Sequence, residues 1–416
     1  MPKTHPSNEP ESKQRISESP PRDTRWWEHE SLRIQQGRVC LDGSALDELA
    51  RQHGTPLYVY SRATLQRQLG QMQAALAAIT QRYRIYYAVK ANRCSGVLRA
   101  VHDCLGIGVD TCSPRELELV LESDFPTELI SFNAGMLSDG DLARVASRGV
   151  HCTLDTFSAL RRYGALVPRG TPVGLRFDPG VIDSYGGRQK TAYGGSKFGF
   201  ELSDCQRALQ AAHEAGLRVD SVHMHVGWGL PEESAGEIEA AFKRLADVAR
   251  QVPELQTINV GGGLGGRYRA EDRPLTLSTW SGILERQLVP LGVTIACEPG
   301  TFIAASAGVL LVQVNTVEER RGTSWVGIDA GHAINPCPAL YGIPLEIVHL
   351  RTPLAPPVRE YTVAGHINES VDIWARGCRL PEVREGDFLA LLPAGAYGAS
   401  MASDHCLRGQ VKELVL

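Results

Sequence analysis

The stretch "IYYAVKANRC", residues 85–94, opens with five apolar or aromatic residues and then meets Lys90, followed by Ala91, Asn92 and Arg93. Taken alone, it is a strand closed by a surface lysine, because lysine is rarely buried. The alternative is an amine placed at a strand end for chemistry. The choice depends on whether the rest of the chain builds something around it. Seven more apolar runs follow: "IGVDT" (107–111), "LISFN" (129–133), "HCTLD" (151–155), "VGLRFD" (173–178), "VHMHV" (222–226), "TINVGGG" (257–263) and "TIACEPG" (294–300).

Helical patterns separate these runs. Before the first, Leu65, Leu69, Met72, Leu76 and Ile79 recur at the threes and fours that place side chains on one helix face. "SPRELELVLES" (113–123) sets Ser113 as a cap, Pro114 at the first helical position and Glu116 where a capping box needs it. "SDGDLARVASRG" (138–149) ends on Gly149, and "SDCQRALQAAHEAG" (203–216) ends on Gly216, a left-handed cap position. Eight runs, each followed by a helix or a connecting segment, predict an α/β protein with a (β/α)8 barrel. A doubly wound open sheet is the competitor, and the count of eight favours the barrel.

After residue 300 the texture changes. "GVLLVQVNTVEER", "SWVGIDAG", "REYTVAGHI", "GDFLALLPAG" and "VKELVL" read as strands between Gly, Pro and charged turns, which predicts a second, mostly β domain. "SLRIQQGRVCLD" (31–42) reads as a hairpin about Gln36-Gly37 that joins it. The expected division is a disordered tail over 1–25, an N-terminal part of the β domain over 26–55, the barrel over 56–305 and the C-terminal β domain over 306–416.

Composition excludes several classes. The 416 residues are 43% hydrophobic and 22% charged, with a net charge of −4 and both signs mixed along the chain. Neither a nucleic-acid surface nor a membrane surface is indicated. No apolar run is long enough to span a bilayer. The ten cysteines form no C-x-x-C pair, so buried free thiols are expected rather than zinc or disulfides. The first residues are polar and rich in Pro and Ser, unlike a secretory signal, and a cytoplasmic location is expected.

Active sites of such barrels lie at the C-terminal strand ends. Those ends are Lys90, Asp110, Asn133, Asp155, Asp178, His225, Gly261-Gly262-Gly263 and Glu298. The glycines of "NVGGGLGG" make either a tight turn or bare N–H groups for a phosphate. No Gly-Lys-Ser/Thr follows, so this is not a Walker loop. "HMHVGWG" (223–229) puts His223 and His225 on one strand face. A metal would need a third ligand, and otherwise His225 is structural or stacks on an aromatic ligand. Glu298 in "CEPG" caps a turn or holds a heteroaromatic nitrogen protonated. One cofactor uses all four parts: an amine to react with an aldehyde, glycines for a phosphate, a ring partner and a carboxylate. That cofactor is pyridoxal 5'-phosphate.

At this point the chain, over about 30–416, resembles the fold-type III pyridoxal phosphate enzymes of the diaminopimelate/ornithine decarboxylase group. The resemblance rests on "YYAVKAN", "DTCSPRELE", "SKFG" (196–199), "HMHVGWG", "GGGLG", "EPG", "PALYG" (338–342), "ESVD" (369–372) and "AYG" (396–398). It implies an amino-acid decarboxylase and assigns roles. Lys90 is similar to the cofactor-linking lysine, with Asp110 beside the cofactor, and His225 to the stacking histidine. Gly261 to Gly263, Pro299, Gly300 and Thr301 flank the phosphate. Glu298 resembles the ring-nitrogen partner, which favours decarboxylation over racemisation. Tyr397 resembles a tyrosine reaching the cofactor from a second subunit, and Lys197 and Asp372 a pair that holds such homodimers together. Tyr341 and Glu369 fall at substrate positions.

Four positions depart from the pattern. Thr301 and Cys337 replace arginines that bind the distal carboxylate of diaminopimelate, and charged hydrogen bonds of that kind contribute about 1.5–3 kcal/mol each. Asn368 replaces the cysteine that protonates the α-carbon. Trp228 replaces a serine at the phosphate. The leading expectation is a decarboxylase with an altered substrate, for example in a specialised antibiotic or toxin pathway. Decarboxylation with protonation on the cofactor, α-carbon proton exchange, and a non-catalytic binding homologue stay open.

Overall fold

The computed structural model describes residues 25–180, 184–187 and 197–416. Nearly all of the expected tail, and Ser196 of "SKFG", lie outside the described residues. The eight apolar runs are eight parallel strands: Tyr83–Ala88, Ile107–Thr111, Ile130–Asn133, His151–Leu154, Pro172–Phe177, Arg218–Met224, Thr257–Asn259 and Thr294–Cys297. Each pairs with its neighbours in chain order, and the last pairs back onto the first through Ile295 opposite Tyr83 and Cys297 opposite Ile85. The sheet therefore closes into a barrel. Its strands are buried on both faces, as Tyr87, Val109, Phe132 and Leu175 show, which is why they read as continuous apolar runs rather than alternating ones.

The helices follow their local signals. Arg62–Ala77 is capped by Ser61, and Leu65, Leu69, Met72 and Leu76 are its buried stripe. Ser113 accepts the Glu116 N–H at 3.1 Å and starts the helix Pro114–Glu122. The Glu116 carboxylate, however, accepts the N–H of Cys112 at 2.8 Å, one residue before the expected capping-box partner. The reciprocal box forms instead at Ser138 and Asp141, at the head of Asp139–Ala146. Gly216, at φ +77°, turns the chain out of Cys205–Glu214. No helix among the described residues is long and apolar enough to cross a membrane.

The β domain holds the path Glu346–His349, Phe388–Leu392, Gly308–Arg320, Thr323–Ile328, Arg359–Ala364 and Ile373–Leu380. Two of these, Glu346–His349 and Ile373–Leu380, lie in segments not read as strands from the sequence. The hairpin forms as expected, Leu32 opposite Leu41, with Gln36 and Gly37 both at positive φ. Leu57–Tyr60, at the start of the expected barrel segment, is part of the β sheet. It pairs with Gly308–Arg320 and with the C-terminal Lys412–Val415. The reason is its two-sided burial. Leu57 and Val59 enter a core with the hairpin's Leu32, Val39 and Leu41, whereas Tyr58 and Tyr60 face the main core that includes the barrel.

Candidate active site

Lys90 sits in a single helical turn, Val89–Ala91, directly after the first barrel strand. This turn is fastened to the β domain. Ser400 Oγ donates to the Lys90 carbonyl at 2.8 Å, Asn92 Nδ2 donates to the Gly395 carbonyl at 2.9 Å, and the Tyr397 N–H donates to the Ala91 carbonyl at 2.7 Å. The Lys90 amine lies 3.1 Å from Asp110 Oδ2 at the end of the second strand. Desolvation at the partly exposed barrel mouth disfavours the charged amine, but Asp110, the strongest of the acidic groups around it, outweighs that and holds Lys90 well above the ordinary lysine range. Asp110 itself is fully enclosed. Burial and the Glu298 charge, only partly offset by Lys90, push its carboxyl up to about 8.

Glu298 ends the eighth strand and is held from two sides. Asn259 Nδ2 donates to Oε1 at 2.7 Å, and His223 Nε2 lies 3.0 Å from Oε2. Burial alone would raise the Glu298 carboxyl, but the contact and hydrogen bond with His223 prevail, so it stays below the usual carboxylate range and ionised. Asn133, at the third strand end, places its amide 3.0 Å from the same His223 nitrogen. His223 Nδ1 is buried without a hydrogen-bond partner. Sequence reading put His223 on a face with His225 but found no task for it, and passed over Asn259. Their only sequence signal is position on strands whose ends carry the other site residues. No group of three or more potential metal ligands forms among the described residues.

The glycine loop is shaped by close approach. A Cβ on Gly261, at φ +65°, would lie 2.7 Å from His225 Nδ1, and one on Gly262 would lie 2.6 Å from the Glu298 carbonyl oxygen. The Gly262 N–H donates to His225 Nδ1 at 3.0 Å. That nitrogen is therefore an acceptor and carries no proton. Burial, then the Arg176 and Lys90 charges, keep His225 far below the ordinary histidine range, so its ring is neutral. Gly263, at φ +116°, packs against Leu230. Pro299 accepts the Ala88 N–H at 3.1 Å, which joins the eighth strand's end to the lysine turn. Thr301 is buried at the start of the short helix Thr301–Ala304.

Tyr397 differs from expectation. It stands in its own chain's site, because a Cβ on Gly300 would lie 3.1 Å from Tyr397 Oη and 3.0 Å from Ala91 Cβ. It adopts φ +61°, a costly backbone state for a non-glycine residue. Tyr397, Tyr341, Trp228 and Cys337 come together in one apolar cluster with Tyr185, Tyr268 and Ile343. Asn368 and Glu369 instead lie on an exposed loop, where Glu369 pairs with His405 at 2.9 Å.

Asp372 is 2% exposed, and its carboxylate accepts the N–H groups of His332 at 2.9 Å and Ile367 at 3.0 Å. A carboxylate so enclosed organises its own loop. Lys197 lies over the Phe198 ring, 5.0 Å from its centroid.

These residues fit pyridoxal phosphate. The loop leaves a cradle that any side chain at Gly261 or Gly262 would fill. A neutral imidazole borders it, and an ionised carboxylate and a primary amine follow the adjacent eighth and first strands. Residues 62–305 match the pyridoxal-binding domain of the pyridoxal-dependent decarboxylases. Over most of its length the chain is 31% identical to the diaminopimelate decarboxylase of Methanothermobacter thermautotrophicus, covering 92% of this chain and 91% of that one. It is 33% identical to the enzyme of Pseudomonas aeruginosa, with 93% and 94% covered. The solved diaminopimelate decarboxylase of M. jannaschii in complex with L-lysine superposes with a TM-score of 0.84 at 26% identity, covering 93% of each chain. The chain belongs to the pyridoxal-dependent decarboxylases, amino-acid carboxy-lyases that use pyridoxal phosphate.

Proposed function

We propose that this chain decarboxylates an amino acid other than diaminopimelate. The observation that carries the reading is the neutral, buried state of Thr301 and Cys337, the two positions where the resemblance implies carboxylate-binding arginines. A distal carboxylate brought there would lose its hydration without a fixed cation in return.

The groups suited to hold the cofactor are retained apart from Trp228, and Asn368 departs as well. When bound, pyridoxal phosphate supplies the electron sink for the carbanion that departing CO2 leaves behind. Lys90 is the residue that would link it, and Asp110, 3.1 Å away, positions that amine. Glu298, kept ionised by His223 and Asn259, is the anion suited to hold a ring nitrogen protonated. His225, neutral and fixed by Gly262, offers a flat ring without a competing charge. Gly261 to Gly263 and Gly300 allow the backbone, rather than side chains, to face the phosphate, and Tyr397 borders Gly300.

Asn368 and Glu369 are exposed on their own chain, and we infer that a second copy receives them at its site, as a homodimer. Asn368 also supports a second reading, in which the proton is delivered elsewhere than the α-carbon, because an amide is no acid at neutral pH. The test is mass spectrometry of the purified holoenzyme with a panel of amino acids, reading product and cofactor together. A simple amine with unchanged cofactor supports decarboxylation, and accumulation of pyridoxamine phosphate supports the second reading. Absence of CO2 from every amino acid defeats both.

A further inference from the structure

An imidazole stands beside the position where the acid is missing. Asn368 and Glu369 are at the tip of the loop 365–372. The Gly365 N–H closes that loop on the Asp372 carbonyl at 2.9 Å, and the Glu369 N–H tightens its turn on the Ile367 carbonyl at 2.8 Å. The Asp372 carboxylate fixes the same loop from within, through the N–H groups of Ile367 and His332. His405 reaches the tip from another segment. Its Nε2 lies 2.9 Å from Glu369 Oε1, although 36 residues separate the two.

The segment that carries His405 is anchored to the lysine turn. Ser400 Oγ donates to the Lys90 carbonyl, and the Ser403 N–H donates to the Ala333 carbonyl at 2.8 Å. A single helical turn, His405–Leu407, follows, with Cys406 at φ +56° and Leu407 at φ +54°. A Cβ on Gly409 would overlap the Ser403 carbonyl oxygen, so the chain closes tightly round this turn. Val371 and Leu407, just beyond each member of the pair, are largely exposed on the single chain. Covering them with a second copy takes that apolar surface out of water.

The pair has the parts of a proton donor. A carboxylate on one ring nitrogen orients an imidazole and sets which nitrogen carries which proton. Among the described residues, His405 Nδ1 has no hydrogen-bond partner. Imidazoles exchange protons near neutral pH, as the Asn368 amide does not. Cys406 is also exposed, but no hydrogen bond ties its thiol to Glu369 among the described residues.

We propose that His405 of one copy is the acid that protonates the α-carbon in the site of the other, with Glu369 holding its ring. This rests on the decarboxylase and homodimer readings given above. CO2 departs without its bonding electrons, and that pair forms the new C–H bond with the Nδ1 proton. The neutral ring then regains a proton from water.

The test supplies the purified holoenzyme with the standard amino acids, ornithine and meso-diaminopimelate, and reads CO2, amine and pyridoxamine phosphate. His405→Gln keeps a polar partner for Glu369 but no acid. It is expected to hold the cofactor as the wild type does and to form amine about 100-fold more slowly. A larger share of its turnovers should end as pyridoxamine phosphate. Cys406→Ser is expected to match the wild type. Co-expression of His405→Gln with Lys90→Ala should restore about one quarter of wild-type activity, because only a mixed dimer joins an intact Lys90 to an intact His405. Wild-type amine formation by His405→Gln, or a loss seen only in Cys406→Ser, overturns the assignment while the homodimer stands. A loss in His405→Gln without restoration places the ring in its own chain's site and overturns the step between copies. Sedimentation as a monomer removes the homodimer reading, and absence of CO2 from every amino acid removes decarboxylation. Either result overturns this proposal as well.

Discussion

Asn259 joins the two halves of the cofactor site. Its amide nitrogen donates to Glu298 Oε1 at 2.7 Å while its amide oxygen accepts the Gly261 N–H at 2.9 Å. One side chain thus sets the glycine loop in register with the carboxylate. Asn259→Ala leaves a buried carboxylate oxygen and a buried N–H without those partners, each costing about 1–3 kcal/mol. The expected outcome is a folded enzyme with kcat lowered about 10- to 100-fold. Steady-state CO2 release beside a thermal melt checks it, and an unchanged kcat would show that Glu298 needs no such support.

Asp110→Asn changes the pH at which the cofactor is taken up. Uptake needs the neutral Lys90 amine, and Asp110 is the largest influence holding that amine protonated. Removing its charge leaves burial to favour the neutral form, so the Lys90 pKa falls. The rate of pyridoxal phosphate uptake should therefore rise at lower pH in the variant than in the wild type. Stopped-flow absorbance from about pH 7 to about pH 12, a range that brackets the ordinary lysine value of about 10.4, reads the shift. A shift to higher pH would contradict the argument.

Gly262→Ala places a Cβ 2.6 Å from the Glu298 carbonyl oxygen, which is backbone and cannot swing aside. The loop must move, at a cost of about 1–3 kcal/mol. Cofactor affinity should fall by about 10-fold or more, as the same energies imply. Equilibrium dialysis against pyridoxal phosphate measures it.

His225→Phe keeps a flat ring but loses the acceptor for the Gly262 N–H. His225→Ala loses both. Affinity for the cofactor is expected in the order wild type, Phe, Ala, with the first step about 10-fold for one buried hydrogen bond. Equal losses in the two variants would mean that the ring itself contributes nothing.

Asp372→Asn should destabilise the single chain by about 1–3 kcal/mol, because part of the loop's acceptor set is lost. Lys197→Ala should leave that stability unchanged. If the two residues instead formed an intersubunit pair, both variants would weaken the dimer alike, which analytical ultracentrifugation would show.

Local sequence was enough for the barrel and for the cofactor set. Eight apolar runs bounded by polar ends, with capped helices between them, have few other ways to bury both faces of every strand. Lys90, His225, the three glycines and Glu298 were legible because each is an unusual residue type at a strand end. Asn259 and His223 were not, since a polar residue inside a strand gains meaning only when closure of the barrel brings strands six, seven and eight side by side. Leu57–Tyr60 was misplaced because its continuous apolar run suits barrel and sheet equally, and only pairing with Gly308–Arg320 decides between them. Tyr397 changed role for a related reason. Its task depends on a contact spanning about three hundred residues, and such proximity is set by packing of the β domain on the lysine turn. Residue types and local order thus determined the barrel and the cofactor. Which side chains share the pocket with that cofactor was decided by tertiary structure, because burial and distance are properties of the packed chain.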